Sequence, residues 1–480
     1  MNKVNVLIIG GGISGLAAAW WLTQQGVSVE IWEAASRPGG KIQSTQEGGY
    51  LTERAAAMLM NFRPEVVELV RDSGLESVKT PRQRLAEARR YLVRHGRLSA
   101  LPMRLGPMLV SPLWSLRGKL RLLAEPFISS GGLEDESVSE FITRRLGREV
   151  LEKAIEPFIA GTLASDPLAT SAAAALPRLV ALERRYGSIT AGVLVNRLLR
   201  RRSACATDTF SFQGGMSTLV TTLAQAPGIK MHTGYSVEEL VREQGAWRVT
   251  ATTPQGQRSL SARHVVVTTP APVSATLLTP IDHGLAELLR GIDYAAVSVV
   301  HMGMDRDAVE HPLDGTGFLT PKRESAILTG NLWMSSLFPG RAPAGKVLLT
   351  SYLGGMRAPQ AIDWDDERIA AQALKTLQPL IGLKAEPEMV RVDRHREALP
   401  VYHGAYQKRM QAIESRLRQL PGLHLEANYK GGVSVRDRLV CGQAVAKRIL
   451  QGRQLLSPID AEMAADKVEA VSGLQGAVTE

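Results

Sequence analysis

An α/β fold is predicted, and three observations predict it. A short apolar run, Val4 to Ile9, is followed at once by Gly10-x-Gly12-x-x-Gly15. Leu16 to Gln25 then reads as a helix closed by Gly26, and Val27 to Trp32 as a second strand ending at Glu33. Strand-rich segments of matching type return about 200 and about 400 residues later, so the sheet is assembled from discontinuous pieces. In the first βαβ unit each glycine has a task. Gly10 permits the tight turn, Gly12 lets a pyrophosphate approach the backbone, and Gly15 lets helix pack on strand. The helix start, with Gly11, Ile13 and Ser14, offers amide donors and a positive dipole end to phosphates. Glu33, followed by Ala34, lies 18 residues after Gly15, where a carboxylate can accept both ribose hydroxyls of an ADP moiety. This is a Rossmann-type unit.

At 480 residues the chain is too long for one simple core. The expected division is a dinucleotide-binding domain from 1–80, 205–285 and 420–452, a mostly helical insertion at 81–204, a substrate-binding α+β domain at 286–419, and a mobile tail at 453–480. Further strands are expected at Ala296 to Met304, Lys346 to Leu353 and Met389 to Arg396. Helices are expected at Arg63 to Ser73, Asp365 to Ile381, Tyr406 to Gln419 and Asp437 to Leu450. Arg89 to Leu98 reads as a hairpin turning at Gly96.

Two cysteines, Cys205 and Cys441, argue against a disulfide framework and fit a reducing compartment. The first strand begins by residue 4, which leaves no room for a leader. No apolar run reaches the ~18 residues of a spanning helix. The expectation is a cytoplasmic protein, or one held peripherally on the cytoplasmic face of a membrane.

Net charge is +10, and the window from Arg82 to Arg121 carries nearly all of it, with ten basic residues against Glu87 alone. A solvated basic face, anionic lipid headgroups and an anionic substrate are all compatible with that window. No nucleic-acid recognition motif accompanies the charge, so no nucleic-acid partner is expected. Within Leu101 to Phe127, Pro102, Pro107 and Pro112 interrupt Leu, Met, Val and Trp114, with basic residues interleaved. Such a stretch suits a membrane interface or an irregular lid.

What surrounds the first motif selects the cofactor. The chain continues as Arg37-Pro-Gly-Gly-Lys41 rather than into further βα units. Gly39 and Gly40 let the backbone pass close to an elongated cofactor, and Lys41 offsets pyrophosphate charge. The late loop Glu426 to Val433 precedes a helix whose N-terminus suits the electron-rich end of an isoalloxazine. FAD is the expected cofactor. No metal site is expected, and His95, His301, His395 and His403 are scattered.

Several stretches resemble the oxygen-dependent protoporphyrinogen and coproporphyrinogen oxidases of the amine-oxidase-like FAD superfamily. They are Gly10 to Lys41, Arg90 to Pro102, Gly118 to Pro126, Glu136 to Gly147, Glu156 to Pro167, Arg185 to Ile189, Gly214 to Leu219 and Tyr429 to Asp437. The resemblance implies heme or tetrapyrrole biosynthesis, with a porphyrinogen substrate oxidised at FAD and O2 as acceptor. It implies that Val237 meets the adenine by its backbone, that Gly432, Val433 and Val435 form the loop at the flavin, and that Arg90 binds a substrate propionate. It implies peripheral membrane contact, and a homodimer is compatible with it. No side chain is expected to act as nucleophile. Three departures stand out. Glu53-Arg54-Ala55-Ala56-Ala57 replaces a Gly-Pro pair beside the flavin, with Ala55 and Ala56 as the residues in place there. Asp437-Arg438 replaces an Asp-Cys, and Gln407 replaces an aromatic. An FAD-dependent dehydrogenase or desaturase of another apolar substrate is the alternative, and a non-catalytic tetrapyrrole-binding flavoprotein the third reading.

Overall fold

The computed structural model describes residues 2–87, 89–101, 111, 113–132, 135–198, 207–325 and 327–454. The predicted proline-broken stretch is therefore described only in part, and the predicted tail lies almost wholly outside the described residues.

Two seven-stranded sheets organise the chain. The first is centred on β1 (Asn2–Ile9), flanked by β2 (Val29–Glu33) and by strand Gly256–Val267. Ile229–Thr233 pairs in parallel with β2, and Leu423–Leu425 in parallel with Gly256–Val267. The strands thus come from three distant parts of the sequence. Val6 to Ile9 and Val265 to Val267 are buried, as expected of parallel strands covered on both faces. An antiparallel meander, Ser236–Glu243, Ala246–Thr253 and Gly256–Val267, extends the sheet. Ile9 is level with Trp32 on one side and Val267 on the other, so the loops after these strands converge at one edge.

The second sheet runs Met389–Pro400, Tyr294–Asp305, Lys346–Gly354, Leu328–Trp333, Gly317–Leu319, Tyr91–Arg94 and Arg97–Ala100. Helix Asp366–Ile381 covers it with Ile369, Ala373, Leu377 and Ile381, a four-residue spacing that lines one helical face. Asp365 caps that helix by accepting from the Arg368 amide at 2.7 Å. The hairpin at 91–100 belongs to this sheet, although it falls within the stretch 81–204 expected as a mostly helical insertion. Phe318 pairs with Tyr91 in parallel. Tyr91 is buried, packs its ring on Trp333 at 5.3 Å and donates to Asp314 at 2.5 Å. Burial of that aromatic draws the hairpin onto the sheet.

Between residues 116 and 198 the described chain is mainly helical. Its interior holds an ion pair, Arg145 with Glu125, both fully buried. The Glu125 carboxylate also accepts from Ser188 Oγ at 2.6 Å and from the Ile189 and Thr190 amides at 2.9 and 3.0 Å. It thereby satisfies the start of helix Ile189–Leu198 from a distant part of the chain. Burial alone would raise the Glu125 carboxyl, but the bonds from Ser188, Thr190 and Ile189 outweigh it and hold it at about 2.

Glu125→Gln leaves buried Arg145 with only the more distant Glu183 carboxylate, at 3.5 Å, and should cost roughly 3 kcal/mol in urea unfolding. Because the Glu125 carboxyl is depressed, its stabilisation is complete above the ordinary carboxylate range and is lost as pH falls toward about 2. Unfolding curves that keep the same pH dependence in the variant would contradict this role.

Candidate active site

The glycine loop occupies the edge where the first sheet's strands end. Gly10 has φ +105°, and a Cβ there would lie 2.7 Å from Thr268 Oγ1. That hydroxyl donates to the Gly10 carbonyl at 2.8 Å. A Cβ on Gly15 would lie 2.1 Å from the Gly10 oxygen, so only glycine lets α1 (Ile13–Thr23) pack this closely on β1. Gly12 differs: a Cβ there meets nothing within 4 Å. The space above it is open, as a phosphate path requires. No side chain caps the first turn of α1 and no acid lies in it, so the amides at Ile13, Ser14 and Gly15 face that space uncompensated.

Glu33 accepts from the Gly11 amide at 2.6 Å with one carboxylate oxygen and from the Ala35 amide at 2.8 Å with the other. Each oxygen keeps lone-pair capacity for a ribose hydroxyl. Ala34 lies between these contacts. Tyr235 N donates to the Glu33 carbonyl and Gly234 N to the Ala35 carbonyl, both at 2.9 Å, which brings the strand bearing Val237 alongside. The second glycine pair joins the same edge. Gly39 N donates to the Gly11 carbonyl at 2.8 Å, and a Cβ on Gly40 would lie 3.3 Å from the Gly12 Cα.

Lys41 is placed differently from its assigned role beside the pyrophosphate. Its ammonium donates to the carbonyls of Glu397 and Ala398, the latter at 2.9 Å, and lies 5.5 Å from the Tyr294 ring centroid. Burial lowers its pKa to about 8. Lys41 thus ties the glycine loop to the second sheet.

Ala55 and Ala56 follow a braced corner. Glu53 is buried and accepts from Arg341 at 2.5 Å, Ser44 Oγ at 2.7 Å and the Met216 amide at 2.9 Å. His395 Nε2 meets the Arg54 carbonyl at 2.8 Å. Ala56 packs against the first sheet's core, as does Ile13.

The late loop bends through Gly431 and Gly432, with φ +77° and +111°. Ser434 Oγ accepts from the Asp437 amide at 3.2 Å as Val435 begins the helix Val435–Gln454. Val433 lies between them. Arg438, visible in the sequence only as a departure, is buried and holds the loop together. It donates to Glu426 at 2.6 Å and to the carbonyls of Ala427 and Lys430. Tyrosines that the sequence did not single out line the loop. Tyr402 donates to the Asn428 carbonyl at 3.3 Å and Tyr406 to the Tyr429 carbonyl at 3.0 Å. Their ring centroids lie 4.6 Å apart at a tilt of 57°, and Tyr406 directly precedes Gln407. Tyr294 donates to Asn428 Oδ1 at 3.4 Å, and burial raises it to about 12.

Arg90 lies at the base of the hairpin, where its carbonyl accepts from the Leu101 amide at 2.8 Å. Its neighbour Arg89 is paired with Asp314 at 2.7 Å, whereas the Arg90 guanidinium has no ion-pair partner among the described residues. It is exposed to solvent yet surrounded by protein. Lost hydration, and then the Arg82 charge, lower its pKa. Among the described residues no group of three or more His, Cys, Asp or Glu could hold a metal ion.

The family model for flavin containing amine oxidoreductases matches residues 13–450. The chain belongs to this family. A mitochondrial protoporphyrinogen oxidase of Nicotiana tabacum is 30% identical, over 93% of this chain and 94% of that protein. A coproporphyrinogen III oxidase of Bacillus subtilis (strain 168) is 28% identical, over 94% and 98%. A crystallised protein of Exiguobacterium sp. 255-15, provisionally named a protoporphyrinogen oxidase, shares the fold with a TM-score of 0.78 at 24% identity, over 93% and 98%.

Family membership makes the cofactor a flavin, and the ADP-type site at Gly10 to Glu33 makes that flavin FAD. The open space over Gly12 and the uncapped start of α1 fit its pyrophosphate.

Gly12 and Gly15 make opposite predictions. Gly12→Val fills the open space, so it should weaken FAD binding to the apoprotein at least tenfold while leaving the apoprotein's melting temperature within a few degrees. Gly15→Ala strikes the Gly10 carbonyl and should lower that melting temperature sharply. Equal effects of both on melting would refute the distinction.

Proposed function

We propose that this protein oxidises a porphyrinogen, protoporphyrinogen IX or coproporphyrinogen III, to the porphyrin with O2 as electron acceptor. The observation that carries the reading is Arg90, a guanidinium without an ion-pair partner among the described residues, at the position where the family resemblance expects a propionate receptor. Relatives bearing protoporphyrinogen and coproporphyrinogen oxidase names align with nearly the whole chain, which supports the same substrate class.

FAD, held by the Gly10 to Glu33 site, would supply the hydride acceptor for three successive two-electron oxidations, with dioxygen as the final acceptor. The protein's own part is binding and exclusion of water. Arginine suits bidentate pairing with a carboxylate, and the charge of Arg90 does not vary with pH in the working range. Tyr294, Tyr402 and Tyr406 wall the late loop with neutral rings whose hydroxyls already have partners, so that wall carries no competing charge. Burial raises all three phenols, which keeps them protonated at neutral pH.

Attachment to an anionic membrane surface forms part of this proposal. Helix Leu116–Leu123 exposes Leu116, Leu120 and Leu123, and Phe127 beyond it is 90% exposed. The spacing puts the leucines on one stripe, with Arg117 and Lys119 beside it. Among the described residues no helix is long and apolar enough to cross a membrane, so the contact would be interfacial.

Anaerobically prepared protoporphyrinogen and coproporphyrinogen should each be tested for enzyme-dependent porphyrin fluorescence on admission of air; none with either substrate would end the proposal. Arg90→Ala should raise KM by a factor corresponding to about 1–3 kcal/mol with kcat little changed. Co-sedimentation with anionic liposomes at low salt should be lost in a Leu120→Asp, Phe127→Asp double variant. Wild-type protein that stays in the supernatant would overturn the membrane contact.

A further inference from the structure

The corner at Glu53 to Ala57 carries a cation that the proposed chemistry has not used. Arg54 stands where the first sheet's loops meet strand Met389–Pro400, immediately before Ala55 and Ala56. Its backbone is fixed at both ends: the amide donates to the Gln43 carbonyl at 2.8 Å, and the carbonyl faces His395 Nε2 at 2.8 Å. The guanidinium is also preset. Nε lies 3.7 Å from Asp393, and Nη1 lies 3.4 Å from Gln43 Oε1. Asp393 is buried and engaged from beneath, by Arg391 Nε at 3.0 Å and by His301 Nε2 at 3.6 Å.

The neighbouring cations have partners at closer range. Arg37 donates to the carbonyls of Pro38, Gly40 and Ile42 at 2.9 to 3.1 Å, and Lys41 donates to those of Glu397 and Ala398. Arg54 makes no contact of that quality. Among the described residues its buried Nε has no hydrogen-bond partner within range, and the side chain remains 37% exposed. A guanidinium held by a carboxylate too distant for a direct hydrogen bond keeps much of its charge available to whatever occupies the cleft. Arginine, unlike lysine, also keeps that charge when partly desolvated.

We propose that Arg54, oriented by Asp393, is a fixed positive charge that favours the reduced state of the FAD bound in this cleft. Reduction of a flavin at neutral pH leaves negative charge on its ring, and in a cleft of low effective dielectric a nearby fixed cation stabilises the reduced form over the oxidised one. Asp393 partly offsets the charge and sets its direction. Its own removal should therefore act with the opposite sign.

The test is the midpoint potential of the FAD-loaded protein, measured by dye equilibration without substrate, in the wild type, Arg54→Gln, Arg54→Lys and Asp393→Asn. Arg54→Gln should weaken reduced-state stabilisation at least tenfold, a fall of about 30 mV for a two-electron couple. Arg54→Lys should restore most of it, and Asp393→Asn should shift the potential upward. Flavin content and near-ultraviolet circular dichroism establish that each variant is folded and loaded. An unchanged potential in folded Arg54→Gln, or shifts of the same sign in Arg54→Gln and Asp393→Asn, would overturn the proposal. Since no porphyrinogen enters the measurement, its result is independent of the substrate reading.

Discussion

The cleft depends on how closely α1 lies on the end of β1. A Cβ on Gly15 would approach the Gly10 oxygen to 2.1 Å, so no other residue type allows that distance without moving the helix. The close approach aims the uncapped first turn of α1 at the open space over Gly12. It also lets Gly39 reach the Gly11 carbonyl, which brings the second glycine pair to the same edge. Glu33 then closes the site by binding the Gly11 amide, so the ribose-type carboxylate and the phosphate-type amides are fixed by one backbone arrangement.

The second sheet is joined to this edge by polar contacts as well as by an apolar cluster in which Tyr50 and Ala57 pack with Phe338 and Leu348. Lys41 donates to carbonyls of strand Met389–Pro400, His395 from that strand meets the Arg54 carbonyl, and Arg341 pairs with buried Glu53. Such contacts are directional, so they set the width and tilt of the cleft where apolar packing would tolerate sliding. The late loop is treated alike: Arg438 gathers Glu426 and two loop carbonyls around one guanidinium. Each of these ion pairs is costly to break from one side, which favours a single cleft geometry.

The parts legible in the sequence were those encoded locally. The glycine spacing, the strand before it and the carboxylate after it specify a βαβ unit within about thirty residues, and the structure contains it. Helix Asp366–Ile381 was legible because its apolar residues repeat every four positions and Asp365 caps it. The hairpin at 91–100 was recognised, but its sheet was not, because Tyr91 pairs with Phe318 across more than two hundred residues. Arg438 with Glu426, Arg341 with Glu53 and Glu125 with Arg145 were hidden for a related reason: a charged residue looks exposed until its partner is known. Arg54 and Arg438 were visible only as departures from the family pattern. Their partners, Asp393 and Glu426, show that both departures are built into the structure and are not gaps in it.

The function rests on whether a porphyrinogen gives up electrons in this cleft. The most direct measurement mixes the FAD-loaded protein with excess protoporphyrinogen or coproporphyrinogen in the absence of oxygen and follows the flavin's visible absorbance. Rapid bleaching by at least one of them, reversed when air is admitted, is the expected result. A flavin that stays oxidised with both porphyrinogens, yet is bleached by dithionite, would contradict it.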